Sequence, residues 1–271
     1  MPQENPIAIF DRYYEKNKRF ESYFIAQSRL IFELIKYIDG HGKPNRLDKL
    51  DLLLFSLATN GQAIVNLIKG GFIPESYLIS RSFFEKCVNY CYLNVCDKEE
   101  YENQLSWSLQ KRIRALYTKK KAYKNIDEEI PLPDISELLK YDYHLGKFTG
   151  KKGGEKPNWT KLSLYDRINY IKNEVDIFTH ETYLLAMNVI YENASESIHG
   201  TIYGATFHTG ILYGIKETSE ESMQRLVVLG TELFCFLGFL INGLIEVTST
   251  IIPADELLKK AKDNFNNELC V

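Results

Sequence analysis

In the stretch YENASESIHG, residues 191–200, Tyr191, Ser195 and His199 stand four residues apart, which on a helix places them along one face as a polar stripe. A histidine that titrates near neutrality suits general acid–base work, and Ser195 supplies a hydroxyl that can attack or position. Glu196, three residues before His199, can orient the imidazole or accept its proton. The stripe does not by itself make a catalytic triad, because an activated nucleophile also needs an oxyanion site and an exposed turn. A hydrogen-bonded polar seam between helices is the other reading of the same residues.

A second pair of interest lies in SRSFFEKCV, where Arg81 and Glu85 are four residues apart in a run carrying Phe84, Val88 and Cys91. Charges in so apolar a run need partners. They can satisfy each other, or they can reach the later polar stripe. In the second case Arg81, Glu85, Tyr191, Ser195 and His199 converge on one pocket as a candidate catalytic cluster.

A third group, Lys111, Arg112, Arg114, Lys119, Lys120, Lys121 and Lys124, follows without an intervening acid and is interleaved with Tyr117 and Tyr123. Such a run could hold phosphates while the rings stack on bases, or it could be a solvated helix end that complements the helix dipole. Metal chemistry finds little support. Glu196 and His199 make half of a di-iron bundle signature, no second ExxH pair occurs, and the remaining histidines are scattered. Neither a metal nor a cofactor is expected.

The elements that must position these groups are helices. Apolar residues recur at three- and four-residue spacing from 7 to 38, and the run stops at DGHGKPN. Further helices are expected from Leu47 to about Ile68 with an interruption at Gly61, from Pro74 to about Val95, and from Lys98 to Lys124. NIDEEIPLPD then breaks the pattern, and a short helical piece, ISELLKYDYHL, follows. GKFTGKKGGEKPN reads as a flexible Gly/Lys-rich loop near 146–158, without the GxxxxGK spacing of a phosphate loop. Helical spacing resumes in SLYDRINYIKNEV, from Thr179 to about Tyr203 and from Glu220 to Thr250, before an amphipathic tail. No strand alternation and no repeat is present. The expected fold is an all-α bundle of seven to nine helices, either one elongated domain over 1–271 or two parts, 1–145 and 159–271, divided at that loop.

Composition sets the limits. Of 271 residues 45% are hydrophobic and 25% charged, with a net charge of −3, which excludes a generally basic nucleic-acid coat and leaves any such role to local charge. Five cysteines without a CxxC pair suit reduced thiols, and the amino terminus has no secretory signal, so a cytoplasmic location is expected. The run from 226 to 245 is long enough to span a bilayer, but Glu232, Asn242 and three glycines within it favour a buried core helix over a membrane span. So long an apolar helix also makes a homodimer an expectation.

The RSxxE helix of Arg81 and Glu85, then Trp159, then the YxxxSxxxH of Tyr191, Ser195 and His199 resemble the bacterial helical proteins of domain of unknown function family 5677. The resemblance runs from about residue 50 to residue 215 and implies no activity. The chain is also similar, more distantly, to helical toxins and defence proteins of the HEPN class. Their ribonucleases separate an arginine from a histidine by four to six residues on one helix, usually in a dimer. Here Ala194, Asn193 and Glu192 occupy those positions, so the arginine would have to come from another helix, with Arg81 the obvious donor. The resemblances imply a binding or regulatory component of a bacterial defence or stress system with an RNA or protein partner. The alternative is a metal-independent ribonuclease using His199 and Arg81.

Overall fold

The computed structural model describes residues 5–44, 46–123, 142–198 and 218–270. The breaker NIDEEIPLPD, the glycines at 200, 204 and 210, His199 and Lys124 lie outside them. The architecture is all-α, and the described residues contain no strand. The chain gathers into two compact units, one built from residues 1–95 with 164–271 and the other from 96–163.

In the first unit, α1 (Pro6–Lys16), α2 (Lys18–Gly40), α3 (Leu47–Lys69) and α4 (Ile73–Val95) are followed by α7 (Leu164–Tyr170), α8 (Ile177–Ala186), α9 (Asn193–Ile198), α10 (Ser219–Ser249) and α11 (Asp255–Leu269). Four of them close a ring, with α2 on α3, α3 on α4, α4 on α10 and α10 back on α2. Phe24, Phe83 and Phe234, from α2, α4 and α10, meet inside that ring. The Phe24 and Phe234 rings stack at 5.5 Å and the Phe24 and Phe83 rings meet edge-on at 6.2 Å. Such offset and edge-to-face pairs add to the area they bury.

Periodicity from 7 to 38 predicts one helix, but the structure has two. Asn17 turns its side-chain amide back to the Tyr13 carbonyl at 2.9 Å and breaks the helix there, a local competition typical of asparagine. The break frees α1 to pack on α10, where Tyr13 donates to Glu220 at 2.7 Å and Arg12 pairs with the same carboxylate at 3.2 Å. Gly61, conversely, does not interrupt α3. It sits where α2 passes close by, and a Cβ there would lie 3.4 Å from the Ser28 hydroxyl.

The apolar run 226–245 lies in α10, most of whose residues from Leu226 to Thr248 are buried against α1, α2, α4 and α8. Two of its glycines mark close approaches. A Cβ on Gly238 would fall 2.5 Å from the Tyr23 ring, and one on Gly243 would fall 2.7 Å from the Tyr183 hydroxyl. By length and composition α3 and α10 are the two described helices that could cross a membrane.

A capping box starts α10. The Thr218 hydroxyl accepts from the Glu221 N–H at 3.2 Å, and the Glu221 carboxylate accepts from the Thr218 N–H at 2.8 Å. Thr218→Ala removes one half of this exchange and is expected to lower stability by about 1 kcal/mol, read as a fall in the denaturation midpoint.

The second unit contains α5 (Lys98–Tyr123) and α6 (Asp142–Lys147), which pack together. The Gly/Lys-rich segment belongs to this unit and is tied by backbone bonds from Gly150 to Gly154 at 2.7 Å and from Lys156 to Phe148 at 2.9 Å. Gly153 takes a left-handed φ of 77°, which glycine adopts without steric cost. All five cysteines are free thiols, and Cys87, Cys91 and Cys96 are buried.

Candidate functional site

Helix α4 begins with Pro74 in its first turn and buries Phe83, Phe84, Cys87, Val88 and Cys91. Arg81 and Glu85 lie on the flank of that apolar face and are only partly buried, their side chains 24% and 40% exposed. The neighbouring elements include α9 and the turn that leads into it. That turn, Met187–Glu192, is π-helical: one long segment is expected from Thr179, but the helical ladder widens between α8 and α9. Such π-turns often occur at functional sites. Tyr191 sits in the turn and Ser195 one turn further along α9.

Four of the five clustered residues meet. The Arg81 Nη2 donates to the Tyr191 hydroxyl at 2.8 Å and Nη1 donates to the Ser195 hydroxyl at 2.9 Å. Nε donates to the Glu85 carboxylate at 3.1 Å. The guanidinium carbon lies 4.0 Å from the Tyr191 ring centroid, a cation–π contact. The fifth residue, His199, is outside the described residues.

Chemically, the arrangement is a fixed guanidinium with two hydroxyls. Glu85 holds the Nε edge, so the two terminal nitrogens face the α9 side in a planar fork. Each hydroxyl that accepts from Arg81 keeps its own O–H as a donor. Donors of this kind, partly open to solvent, suit a ligand rich in acceptor oxygens.

The basic residues of α5 have divided roles. Lys111 pairs with Glu155 at 3.1 Å and lies 4.8 Å from the Trp107 ring centroid. Arg114 donates to Gln110 and to Thr149, each at 2.6 Å. These two therefore tie α5 to the Gly/Lys-rich segment. The Gln110 amide, with Lys111 beside it, holds the Glu155 carboxyl below its ordinary value. Arg112 and Lys119 are exposed, and Lys120 and Lys121 belong to the last turn of the helix.

Sequence reasoning missed Glu155, a single acid inside KKGGEK that neutralises part of the basic run. Its position among lysines was the available signal. It also missed the π-turn, for which the local sequence carries no marker. Among the described residues, no three histidine, cysteine, aspartate or glutamate side chains are placed to hold a metal ion.

The model of the family described as "Family of unknown function (DUF5677)" matches residues 52–211, a span that contains Arg81, Glu85, Tyr191, Ser195 and His199. No curated protein and no solved structure matches the chain.

Proposed function

We propose a binding function for this chain, which belongs to the family of unknown function DUF5677. Its recognition site is the fork of Arg81 with the hydroxyls of Tyr191 and Ser195, and its ligand carries an oxyanion such as a phosphate ester. The protein serves as a regulatory component of a bacterial defence or stress system, a setting that rests on the resemblance to helical toxin and defence proteins.

One observation carries the binding reading: a single arginine from α4 spans both hydroxyls of the later segment while remaining partly exposed. A purely structural ion pair would need only Glu85. Titration calorimetry with inorganic phosphate and with adenosine monophosphate tests it. Saturable binding is expected, weakened about ten- to hundredfold in Arg81→Met, as for loss of a charged hydrogen bond. Absence of binding by either compound, or equal binding by the variant, rejects the site.

A second reading is favoured by the source of the arginine. The sequence around His199 offers no arginine at the HEPN spacing, and Arg81 of α4 bonds Ser195, four positions before His199. In a metal-independent ribonuclease, His199 would move the proton and Arg81 would offset charge on the phosphorane. Cleavage of single-stranded RNA in the presence of a chelator, abolished by His199→Ala at unchanged melting temperature, would replace the binding-only reading with this one.

A further inference from the structure

Two groups beside the Arg81 fork have bonding capacity left over. Arg81 engages one oxygen of Glu85, through Nε at 3.1 Å, and the second oxygen has no hydrogen-bond partner among the described residues. That carboxylate is also the outer member of the pair, 40% exposed against 24% for Arg81. One turn further along α4 stands Asn89, partly buried, whose Oδ1 accepts from Nη1 of Arg167 on α7. A guanidinium has only donors, so it fixes the amide with its oxygen toward Arg167. Both N–H bonds of the Asn89 amide are then left without a partner among the described residues.

Arg81, Glu85 and Asn89 follow one another at four-residue spacing, so they form one row along the flank of α4. The row is about 12 Å long at the helical rise per residue. Helix α4 packs on α9 and the π-turn, which supply the two hydroxyls, and on α7, which supplies Arg167. Read along the helix, the row offers a fork of donors, then an anionic acceptor, then an amide donor.

We propose that the ligand of this site is a phosphate monoester of a sugar, bound with its phosphate on Arg81, Tyr191 and Ser195 and two of its hydroxyls on Glu85 and Asn89. The proposal rests on the oxyanion reading given above and adds the body of the ligand to its charged end.

Glu85 is the discriminating group. A bare phosphate on the fork brings its charge close to a second negative charge that is open to solvent, and like charges at that range repel. A sugar ester meets the same carboxylate with a hydroxyl, which donates to the free oxygen and replaces repulsion with a hydrogen bond to a charged acceptor. Sugar hydroxyls both donate and accept, so a neighbouring hydroxyl can accept from the Asn89 amide. An acceptor beside a donor therefore matches hydroxyls on adjoining carbons, whereas an alkyl phosphate leaves both groups unmet. Arg167 is a positioning residue, which acts by holding the Asn89 amide in the orientation that presents its nitrogen.

Titration calorimetry of the full chain compares adenosine monophosphate with its dideoxy analogue, which keeps the base and the phosphate and lacks both ribose hydroxyls. The ribonucleotide is expected to bind about tenfold more tightly, as for a hydrogen bond to a charged group. Glu85→Gln, whose amide oxygen can still accept from the Arg81 Nε, is expected to bring that ratio close to one while inorganic phosphate binds as well as before or better. Asn89→Ala and Arg167→Gln are each expected to lower the ratio about threefold, with binding of inorganic phosphate unchanged. Equal binding of the two nucleotides by the unaltered chain overturns the proposal and leaves the oxyanion site standing. So does a Glu85→Gln variant that loses inorganic phosphate as much as the ribonucleotide, because the carboxylate then serves only to hold Arg81. Binding of none of the three compounds removes the oxyanion site itself, and the proposal with it.

Discussion

Gly243→Ala is expected to destabilise the chain by about 1–3 kcal/mol, the usual range for overpacking a core. The sign is informative, because alanine in place of glycine inside a helix ordinarily gains about 1 kcal/mol. Here the added methyl would lie 2.7 Å from the Tyr183 hydroxyl and 2.8 Å from a ring carbon. Tyr183 has no room to retreat: it is fully buried, its hydroxyl donates to the Leu240 carbonyl at 2.9 Å, and the Cys91 sulfur is 3.5 Å away. Gly40→Ala is the matched control, since nothing lies within 4 Å of a Cβ there. Urea denaturation reads both variants. A higher midpoint for Gly243→Ala would mean that α8 and α10 do not approach as closely as the structure has them.

Arg81→Met is the second large effect, expected to cost about 1–3 kcal/mol of stability beyond its loss of ligand affinity. Methionine keeps most of the stem but removes every donor and the contact over the Tyr191 ring. Tyr191→Phe keeps the ring and removes only the hydroxyl, and Ser195→Ala removes only the other acceptor. In double-mutant cycles, Arg81→Met should couple to each of them by about 0.5–3 kcal/mol, as contacting residues do. Coupling near zero would show that the fork is not held in solution. Glu85→Gln is expected to act less, since that carboxylate is 40% exposed and water can take over its bonds.

Much of the fold was legible without coordinates. Gly40 ends α2 and Pro74 stands in the first turn of α4, as the breaker residues suggested. The helix expected from Glu220 to Thr250 is α10, Ser219–Ser249, whose length follows the mostly apolar run 226–245 at its centre. Other features were not legible. Asn17 breaks a helix that periodicity alone would continue, because the competing bond is made by one side chain to a carbonyl four residues back. Gly61 reads as an interruption until α2 is seen to pass beside it. The basic run on α5 reads as a free surface until Glu155, 44 positions beyond Lys111, is found to pair with it.

The candidate site divides the same way. Helical spacing was enough to place Arg81 beside Glu85, because that relation depends only on the rise and turn of one helix, whereas Tyr191 in the π-turn and Ser195 in α9 lie on either side of a change in the helical ladder. By itself, then, the sequence determined an all-α protein, the chemistry-bearing faces of its helices and its membership of a family. Tertiary structure decided that Arg81 reaches across 110 positions to Tyr191 and 114 to Ser195. It also decided that α10 is spent in the core. Contacts within a helix follow from local geometry, whereas contacts between helices depend on which apolar faces bury each other, and that is settled only when all of them pack at once.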